Sequence, residues 1–206
     1  EVTDFKTGKG NPEGHIIEVL GDPKDIRVQT EIVIRKHKLP HKFSDRAMQE
    51  TDAYPDTMPE EKGRLDLRHI PHVTIDGETA RDFDDAVAVE KTAKGWRLYV
   101  SIADVSYYVK PGYALDKEAY ERGTSVYFPN RVVPMLPERL SNNLCSLVPN
   151  ELRPAFTAIL EFDPKGKILA KKFTRSIIKS HHRLTYTIVK QILVDRESTL
   201  IKEYSD

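Results

Sequence analysis

The sequence has few of the features that stabilise small secreted or membrane proteins: one cysteine, one tryptophan and no long apolar run in 206 residues. A single cysteine, Cys145, excludes an internal disulfide and is typical of a protein in a reducing cytoplasm. No apolar stretch approaches the length of a membrane-spanning helix, and the N-terminus lacks a signal-peptide pattern. We therefore predict a cytoplasmic protein without a membrane partner.

Net charge is also absent, because 32 lysines and arginines balance 32 aspartates and glutamates. A zero sum argues against a polyanion-binding protein, but the charges are unevenly distributed. Residues 45–85 contain twelve acidic and five basic residues, whereas residues 165–190 contain eight basic residues and no acidic one. An acidic pocket with a separate basic strip suits a protein that attracts phosphate groups and acts on them. A solvated strand face explains the basic strip equally well, and both interpretations stay open.

Common catalytic patterns are missing too. The sequence contains no glycine-rich phosphate loop, no CxxC pair and no serine, histidine and aspartate arrangement typical of a nucleophilic hydrolase. Cys145 lies between apolar residues in SNNLCSLV, which predicts buried packing rather than a nucleophile.

Reactive groups are concentrated instead in HVTIDGETARDFDDAVAV, residues 72–89, which holds Asp76, Asp82, Asp84 and Asp85. The segment reads as strand, short polar loop and strand, so we expect the four carboxylates to converge on one small volume. Carboxylates in a partly buried site repel one another by on the order of several kcal/mol. Hard divalent cations relieve that repulsion and prefer oxygen ligands, so we predict a Mg²⁺ site, with Mn²⁺ as an alternative.

A solvated acidic turn is the simplest alternative to a metal site. Against it, Asp76 ends the apolar strand VTI and Asp85 begins the strand AVAV, which anchors both carboxylates on ordered backbone. The spacing fails the EF-hand pattern, since neither the glycine nor the terminal glutamate falls where a calcium loop needs it. A phosphatase of the DxDx(T/V) type is disfavoured as well, because TAR rather than an apolar strand precedes Asp82.

Hydrolysis of a phosphodiester needs a nucleophilic water and a stabilised leaving group, which two divalent cations about 3.5–4 Å apart provide. We assign Asp76 and Asp85 to the first metal and Asp82 to the second. Asp84 would complete the site and orient the attacking water. Asp84 and Asp82 are thus the candidate catalytic residues, and all four aspartates are candidate metal ligands.

The segment TIDGETARDFDDAV resembles the signature of the RNB exoribonucleases, the family of RNase II and ribonuclease R. The resemblance continues through residues 98–109, 125–147 and 153–163 and is closer to the ribonuclease R branch. It implies a hydrolytic, processive 3′→5′ exoribonuclease that needs Mg²⁺. Such an enzyme binds the single-stranded 3′ end of RNA and releases nucleoside 5′-monophosphates.

The resemblance also assigns Tyr127, in SVYFP, to stacking on the 3′-terminal base of RNA. Stacking of this kind contributes about 1–3 kcal/mol per base and is indifferent to base identity. Alternation along a strand must point either Tyr127 or Phe128 inward, so a core role for Tyr127 stays open.

Other polar residues near these motifs are interpreted as structural. Asp104 lies at a strand end, where turn and cap roles are common. His69 and His72 precede the aspartates, but imidazole suits softer ions than Mg²⁺, so packing is favoured. His181 and His182 belong to the basic strip and show no specific pattern.

The predicted fold class is α+β, with a mostly antiparallel sheet, interspersed helices and an all-β OB-fold remnant before them. By resemblance, residues 1–43 are the C-terminal part of a cold-shock-type OB domain and residues 44–64 are a linker. Residues 65–206 are the N-terminal part of an incomplete RNB catalytic domain. HIIEVLG, residues 15–21, predicts a strand, and IRVQTEIVIRKH predicts a strand or a strand–helix hybrid.

Capping signals and periodicity predict the remaining elements. Ser44 begins a helix through Gln49, and Thr185 begins one over YTIVKQILVDRE. PGYALDKEAYERG is a helix ended by Gly123. DAVAVE pairs with WRLYVSIAD, AFTAILEFD pairs with KILAKKFTRSIIKS, SVYF is a strand and LPERLSNNLCSL is a short helix.

The sequence begins at Glu1 without methionine, and the family's catalytic domain is longer than the matched part. We therefore expect a fragment that is weakly active or inactive alone, because the resemblance implies that RNA-clamping aromatics and basic residues that steady the transition state lie outside it. Two alternatives stay open: a fragment that binds RNA or a partner without cleaving, and an unrelated Mg²⁺ phosphatase.

Overall fold

The protein is described here by a computed structural model that covers residues 2–4, 10–11, 13–58 and 62–204. It has the predicted α+β class. The strands are β1 (Val2–Asp4), β2 (Glu13–Gly14), β3 (Leu65–Asp66), β4 (His72–Asp76), β5 (Asp85–Thr92), β6 (Gly95–Ala103), β7 (Val126–Tyr127), β8 (Val132–Val133), β9 (Leu152–Phe162) and β10 (Ile168–Thr185). The α-helices are α1 (Ile26–Lys36), α2 (Asp45–Asp52), α3 (Ala114–Arg122), α4 (Tyr186–Leu193) and α5 (Ser198–Glu203).

Strand β10 closes the main sheet into a barrel. Its first part pairs antiparallel with β9, which confirms the predicted hairpin, and its second part pairs parallel with β3 and β4. Antiparallel pairing then links β4 to β5, β5 to β6 and β6 to β9. Because β10 is 18 residues long, it reaches both ends of this series and completes the ring. Thr185 of β10 lies opposite Asp76 of β4.

Alternating residues of the barrel strands fill its interior, as strand geometry requires. The buried apolar residues include Ala86, Ala88, Tyr99, Ala155 and Ile178. A second apolar cluster packs α2 and α3 against the π-helical turn Leu140–Leu144, and it contains Cys145. Burial raises the pKa of the Cys145 thiol to about 12, so the predicted packing role is confirmed.

Three predicted helix boundaries follow from local capping. Ser44 begins α2, because its hydroxyl accepts from the Ala47 N–H, although the helix continues past Gln49 to Asp52. Gly123 ends α3 with a φ of 70°, a left-handed conformation that glycine adopts without strain. Thr185 begins α4 by accepting from the Ile188 N–H.

Two elements differ from their predicted extent. The helix predicted in YTIVKQILVDRE is shorter than expected, since α4 ends at Leu193. The short helix predicted in LPERLSNNLCSL is the π-helical turn Leu140–Leu144. None of the helices in the described ranges is long and apolar enough to cross a membrane.

The N-terminal strand predictions are wrong. Residues 15–21 form neither strand nor helix, and IRVQTEIVIRKH forms α1 rather than a strand. Isoleucine and valine suggested β structure, but Asp25 caps the helix by accepting from the Arg27 N–H, and Glu31 pairs with Arg35 one turn later. The first 43 residues are therefore not all β, because α1 lies within them. Helix α2 likewise gives the predicted linker an ordered beginning, since Glu50 accepts from the first two N–H groups of α3.

Candidate active site

The loop between β4 and β5 is ordered by contacts with a distant part of the chain. Phe83 is buried in the barrel core, and its N–H donates to the Ser146 hydroxyl at 2.9 Å. The Phe83 carbonyl accepts from the Leu147 N–H at 2.9 Å, and Ser146 donates to the Arg81 carbonyl at 2.8 Å. These bonds order the backbone of the loop, whereas the solvated acidic turn stays an alternative for its exposed carboxylates.

All four predicted aspartates lie at one end of the barrel. Asp76 is the last residue of β4 and Asp85 the first of β5, as predicted. Asp82 and Asp84 flank the buried Phe83, and the Asp84 carbonyl extends the sheet by accepting from the Ala103 N–H at 2.9 Å. Asp76 and Asp82 are half-buried, whereas Asp84 and Asp85 are exposed.

The four carboxylates influence one another electrostatically. Burial is the largest cause that raises the pKa of Asp76, followed by the charges of Asp85 and Asp82. Although Asp84 has an exposed surface, the surrounding protein also raises its pKa, with contributions from the other three aspartates. Each carboxylate therefore lies in the field of the others, which is the environment expected of a cation site.

Oxygen donors of this kind fit a hard divalent cation such as Mg²⁺. In the described ranges, however, no three His, Cys, Asp or Glu side chains are close enough to hold one ion together. The aspartates are thus electrostatic neighbours that do not form a ready-made cation site in the part of the chain that the structure describes.

Tyr127 lies beside the aspartates. Its side chain is 67% exposed, so Phe128 rather than Tyr127 is the partly buried member of the pair. The Tyr127 hydroxyl donates to Oδ2 of Asp82 at 3.2 Å. Burial, followed by the charge of Asp82, raises the pKa of Tyr127. The core role left open for Tyr127 is therefore wrong, while base stacking stays a prediction.

An open cleft of about 660 Å³ contains both Tyr127 and Asp82. The loop after β4 forms one wall, and the β7–β8 hairpin with the following segment forms the other. Its polar lining comprises Thr79, Arg81, Asp82, Ser125, Tyr127, Asn130, Arg131, Glu138, Ser141 and Asn142. Both walls carry donors and acceptors that an RNA chain can use.

Arg183 is a site residue that the sequence pattern did not single out. Its Nη2 donates to the carbonyls of Gly77 and Glu78 at 3.1 and 2.6 Å, and its guanidinium lies 5.4 Å from the Phe83 ring centroid. Its charge opposes the rise in the Asp76 pKa. Membership of the basic strip was the only signal, because the parallel β4–β10 pairing that brings Arg183 here leaves no local pattern.

The residues interpreted as structural largely keep that interpretation. His72 is buried, and its two ring nitrogens lie 3.1 Å from the Ile70 carbonyl and 3.0 Å from the Ser101 hydroxyl. Burial lowers the pKa of His72, so it is a packed neutral side chain. Asp104 pairs with Arg64 at 2.7 Å, and the exposed fractions of the two side chains are 7% and 3%.

The other histidines lie away from the aspartate cluster. His69 precedes β4 in an exposed turn, and His181 lies on β10. His182 packs edge-on against Tyr204, with ring centroids 5.3 Å apart. None of these contacts brings a histidine to the four carboxylates.

The sequence matches the RNB domain over residues 64–205 and the cold shock domain over residues 1–44. It is 50% identical over 196 residues to ribonuclease R of Vibrio cholerae and 48% identical over 196 residues to that of Escherichia coli K12. Each alignment covers 94% of this chain and 24% of the relative. The chain thus spans only part of the length of the curated relatives it matches.

Solved structures show the same likeness. Mycoplasma genitalium RNase R in complex with double-stranded RNA matches with a TM-score of 0.87 and 30% identity, over 96% of this chain and 36% of that one. Yeast Ssd1, a pseudonuclease, matches with a TM-score of 0.71 and 18% identity over 98% of this chain and 26% of that one. The second likeness shows a shared fold alone.

Proposed function

Because the chain belongs to the RNB family, we propose that it is the metal-binding part of a hydrolytic, Mg²⁺-dependent 3′→5′ exoribonuclease. The substrate is RNA with a single-stranded 3′ end, and the products of processive degradation are nucleoside 5′-monophosphates. Cytoplasmic location agrees with the single, buried cysteine.

The contact between Tyr127 and Asp82 carries this proposal. It joins a candidate base-stacking side chain to a candidate metal ligand 45 residues earlier, in one cleft. A terminal base on the exposed Tyr127 ring would place its phosphodiester near the aspartates. Stacking is tolerant of base identity, which suits an enzyme that removes nucleotides one after another.

Asp76, Asp82, Asp84 and Asp85 are the residues that would hold Mg²⁺, or Mn²⁺ in its place. A cation held by these residues would supply an activated water and would neutralise charge on the phosphate and leaving group. Asp84 accepts a hydrogen bond from the attacking water and so orients it. Arg183 keeps the loop in place through the Gly77 and Glu78 carbonyls.

The test compares this chain with a version extended to the length of its bacterial relatives. Each is incubated with a 5′-labelled single-stranded RNA in Mg²⁺ and in EDTA. We expect the extended version to shorten the RNA from its 3′ end only in Mg²⁺, and this chain to do so weakly or not at all. A circular RNA of the same sequence is the control, because an exonuclease finds no end on it.

Two results would contradict the proposal. Cleavage of the circular RNA would indicate an endonuclease. Absence of cleavage by the extended version, with RNA still bound, would favour an RNA-binding role without catalysis. This second function is tested because no three acidic, histidine or cysteine side chains in the described ranges are placed to hold one ion.

A further inference from the structure

A separate set of contacts connects helix α1 to the rim of the cleft. We propose that Thr30 and Glu31 of α1 are positioning residues for Tyr127. The segment that matches the cold shock domain would thereby control how firmly the RNA 3′ end is held. This inference rests on the proposed function, because it takes Tyr127 as the residue that meets the terminal base.

The hairpin that carries Tyr127 is too small to hold its own position. Strands β7 and β8 pair through two residues each, and the turn between them is closed by the Phe128 N–H, which donates to the Arg131 carbonyl at 2.8 Å. A two-stranded hairpin in water is marginally stable at best. Contacts from outside the hairpin must therefore contribute to the placement of Tyr127.

Thr30 supplies the first of these contacts. It is buried, with 4% of its surface exposed, and its hydroxyl lies 2.8 Å from Oδ1 of Asn130 at the tip of the hairpin. The two residues are 100 positions apart in the sequence. The Thr30 hydroxyl also lies 2.9 Å from the Ile26 carbonyl on its own helix. Thr30 is buried although Asn130 is exposed, so this contact is shielded from water on its α1 side and helps to hold the tip against α1.

Glu31 supplies the second contact. Its Oε2 accepts from Nη2 of Arg131 at 2.7 Å, and its Oε1 accepts from Nε of Arg35 at 2.9 Å on the same helix. The hydrogen bond from Arg131 is the largest cause that lowers the pKa of Glu31, so the carboxylate stays ionised at neutral pH. Arg35 thus holds Glu31 in the orientation that meets the hairpin.

These contacts reach the site only through the hairpin. Asn130 and Arg131 line the same cleft as Tyr127 and Asp82, whereas Thr30 and Glu31 are absent from its lining. If α1 released the hairpin tip, Tyr127 would move relative to Asp82 while the aspartates kept their places on the barrel. The effect would therefore fall on RNA binding and the final fragment, and not on the chemical step.

The experiment uses the version extended to the length of the relatives and the double variant Thr30→Val, Glu31→Gln. We expect final fragments longer than those of the parent, and an affinity for single-stranded RNA in EDTA that is weaker by about threefold to tenfold. The kcat on long RNA should remain close to that of the parent. Asp25→Asn is the matched control, because Asp25 pairs with Arg27 at 2.6 Å at the start of α1 and asparagine keeps the oxygen that caps the helix.

Combination with Tyr127→Ala separates positioning from general stability. If Thr30 and Glu31 act through Tyr127, adding their substitutions to Tyr127→Ala leaves fragment length and affinity unchanged. Additive losses, or a double variant that behaves like Asp25→Asn, would overturn the inference. If the parent fails to shorten RNA, the proposed exonuclease function fails, while affinity in EDTA still tests the positioning role.

Discussion

Asp84 and Asp104 show how aspartate takes two different roles in this molecule. Asp84 lies among like charges, and desolvation by the surrounding protein followed by those charges raises its pKa. Asp104 is buried, but hydrogen bonds from Ser106 and Arg64 outweigh the effect of that burial and lower its pKa. A site that crowds carboxylates reduces stability until a cation arrives, whereas a paired carboxylate supports the fold.

We predict that Asp84→Asn strongly reduces catalysis without loss of RNA binding. The amide keeps the shape of the side chain but removes a charge from the cation site. In the version extended to the relatives' length, shortening of labelled RNA in Mg²⁺ should fall by on the order of a hundredfold. Asp66→Asn is the control, since Asp66 is an exposed carboxylate paired with Arg68. Near-parental cleavage by Asp84→Asn would exclude the role assigned to Asp84.

Opposite pH effects on stability should distinguish Asp84 from Asp104. A raised folded-state pKa means that ionised Asp84 destabilises the fold, and this penalty disappears as pH falls through that pKa. Asp84→Asn should therefore raise Tm at pH about 7 in EDTA, with a smaller difference at pH about 4. Asp104 has a lowered pKa, so its stabilisation is present above the ordinary aspartate value and is lost as pH falls.

Substitution of Asp104 should change stability in the opposite direction to substitution of Asp84. Asp104→Asn should destabilise the fold at neutral pH by about 3 kcal/mol, because the buried Arg64 guanidinium loses its carboxylate. Thermal unfolding of both variants at the two pH values checks the pair. Shifts of the same sign at neutral pH would show that the two aspartates do not occupy the contrasting environments described.

At the scale of elements, the β7–β8 hairpin and the loop after β4 form the cleft from opposite sides. The loop is held by the buried Phe83 and by Ser146, while the hairpin is held by α1. Local propensity explains neither arrangement, since a polar loop and a two-residue strand are both weak structures alone. Distant partners give these short elements their positions.

We predict that Tyr127→Ala leaves longer RNA fragments and weakens RNA affinity, because it removes a stacking surface that contributes about 1–3 kcal/mol. Tyr127→Phe is the matched variant: it keeps the ring and removes only the hydroxyl bonded to Asp82. Gel analysis of the final fragments should show a changed end product for alanine and a parental one for phenylalanine. An unchanged end product with alanine would refute the stacking role.

On the scale of the whole molecule, closure of the barrel leaves an apolar outer face. Ile102 and Phe156 lie directly opposite on β6 and β9, and Phe173 lies nearby on β10. All three side chains are exposed, by 47%, 47% and 59%. Arg175 lies opposite Phe156 on β10, so the apolar side chains share this face with one charge. Exposed apolar side chains gathered on one face are typical of surfaces that bind other groups.

We therefore predict that the folded chain binds the apolar dye ANS at this face. Phe156→Ser combined with Phe173→Ser should reduce ANS fluorescence at least about twofold, because the dye loses apolar contact area. Tyr120→Ser is the control, since Tyr120 is an aromatic on α3 that is 87% exposed. An equal reduction by the control would show that ANS does not report on the barrel face.

The sequence by itself was enough to predict the aspartate cluster, the family, the β5–β6 and β9–β10 hairpins and the helix starts at Ser44 and Thr185. Each depends on alternation, capping or motifs within a short stretch of chain. The β-branched residues of α1 led to a wrong strand prediction, because capping and the Glu31–Arg35 pair outweighed their strand preference.

Only the tertiary structure decided which of these parts meet. It paired β10 with β4, placed Arg183 over Phe83, brought Tyr127 to Asp82 and joined Glu31 to Arg131 across 100 positions. Contacts between residues so far apart leave no periodic or local trace in one sequence. These contacts form because the apolar faces of the barrel and the helices pack against one another, and that packing depends on the whole chain.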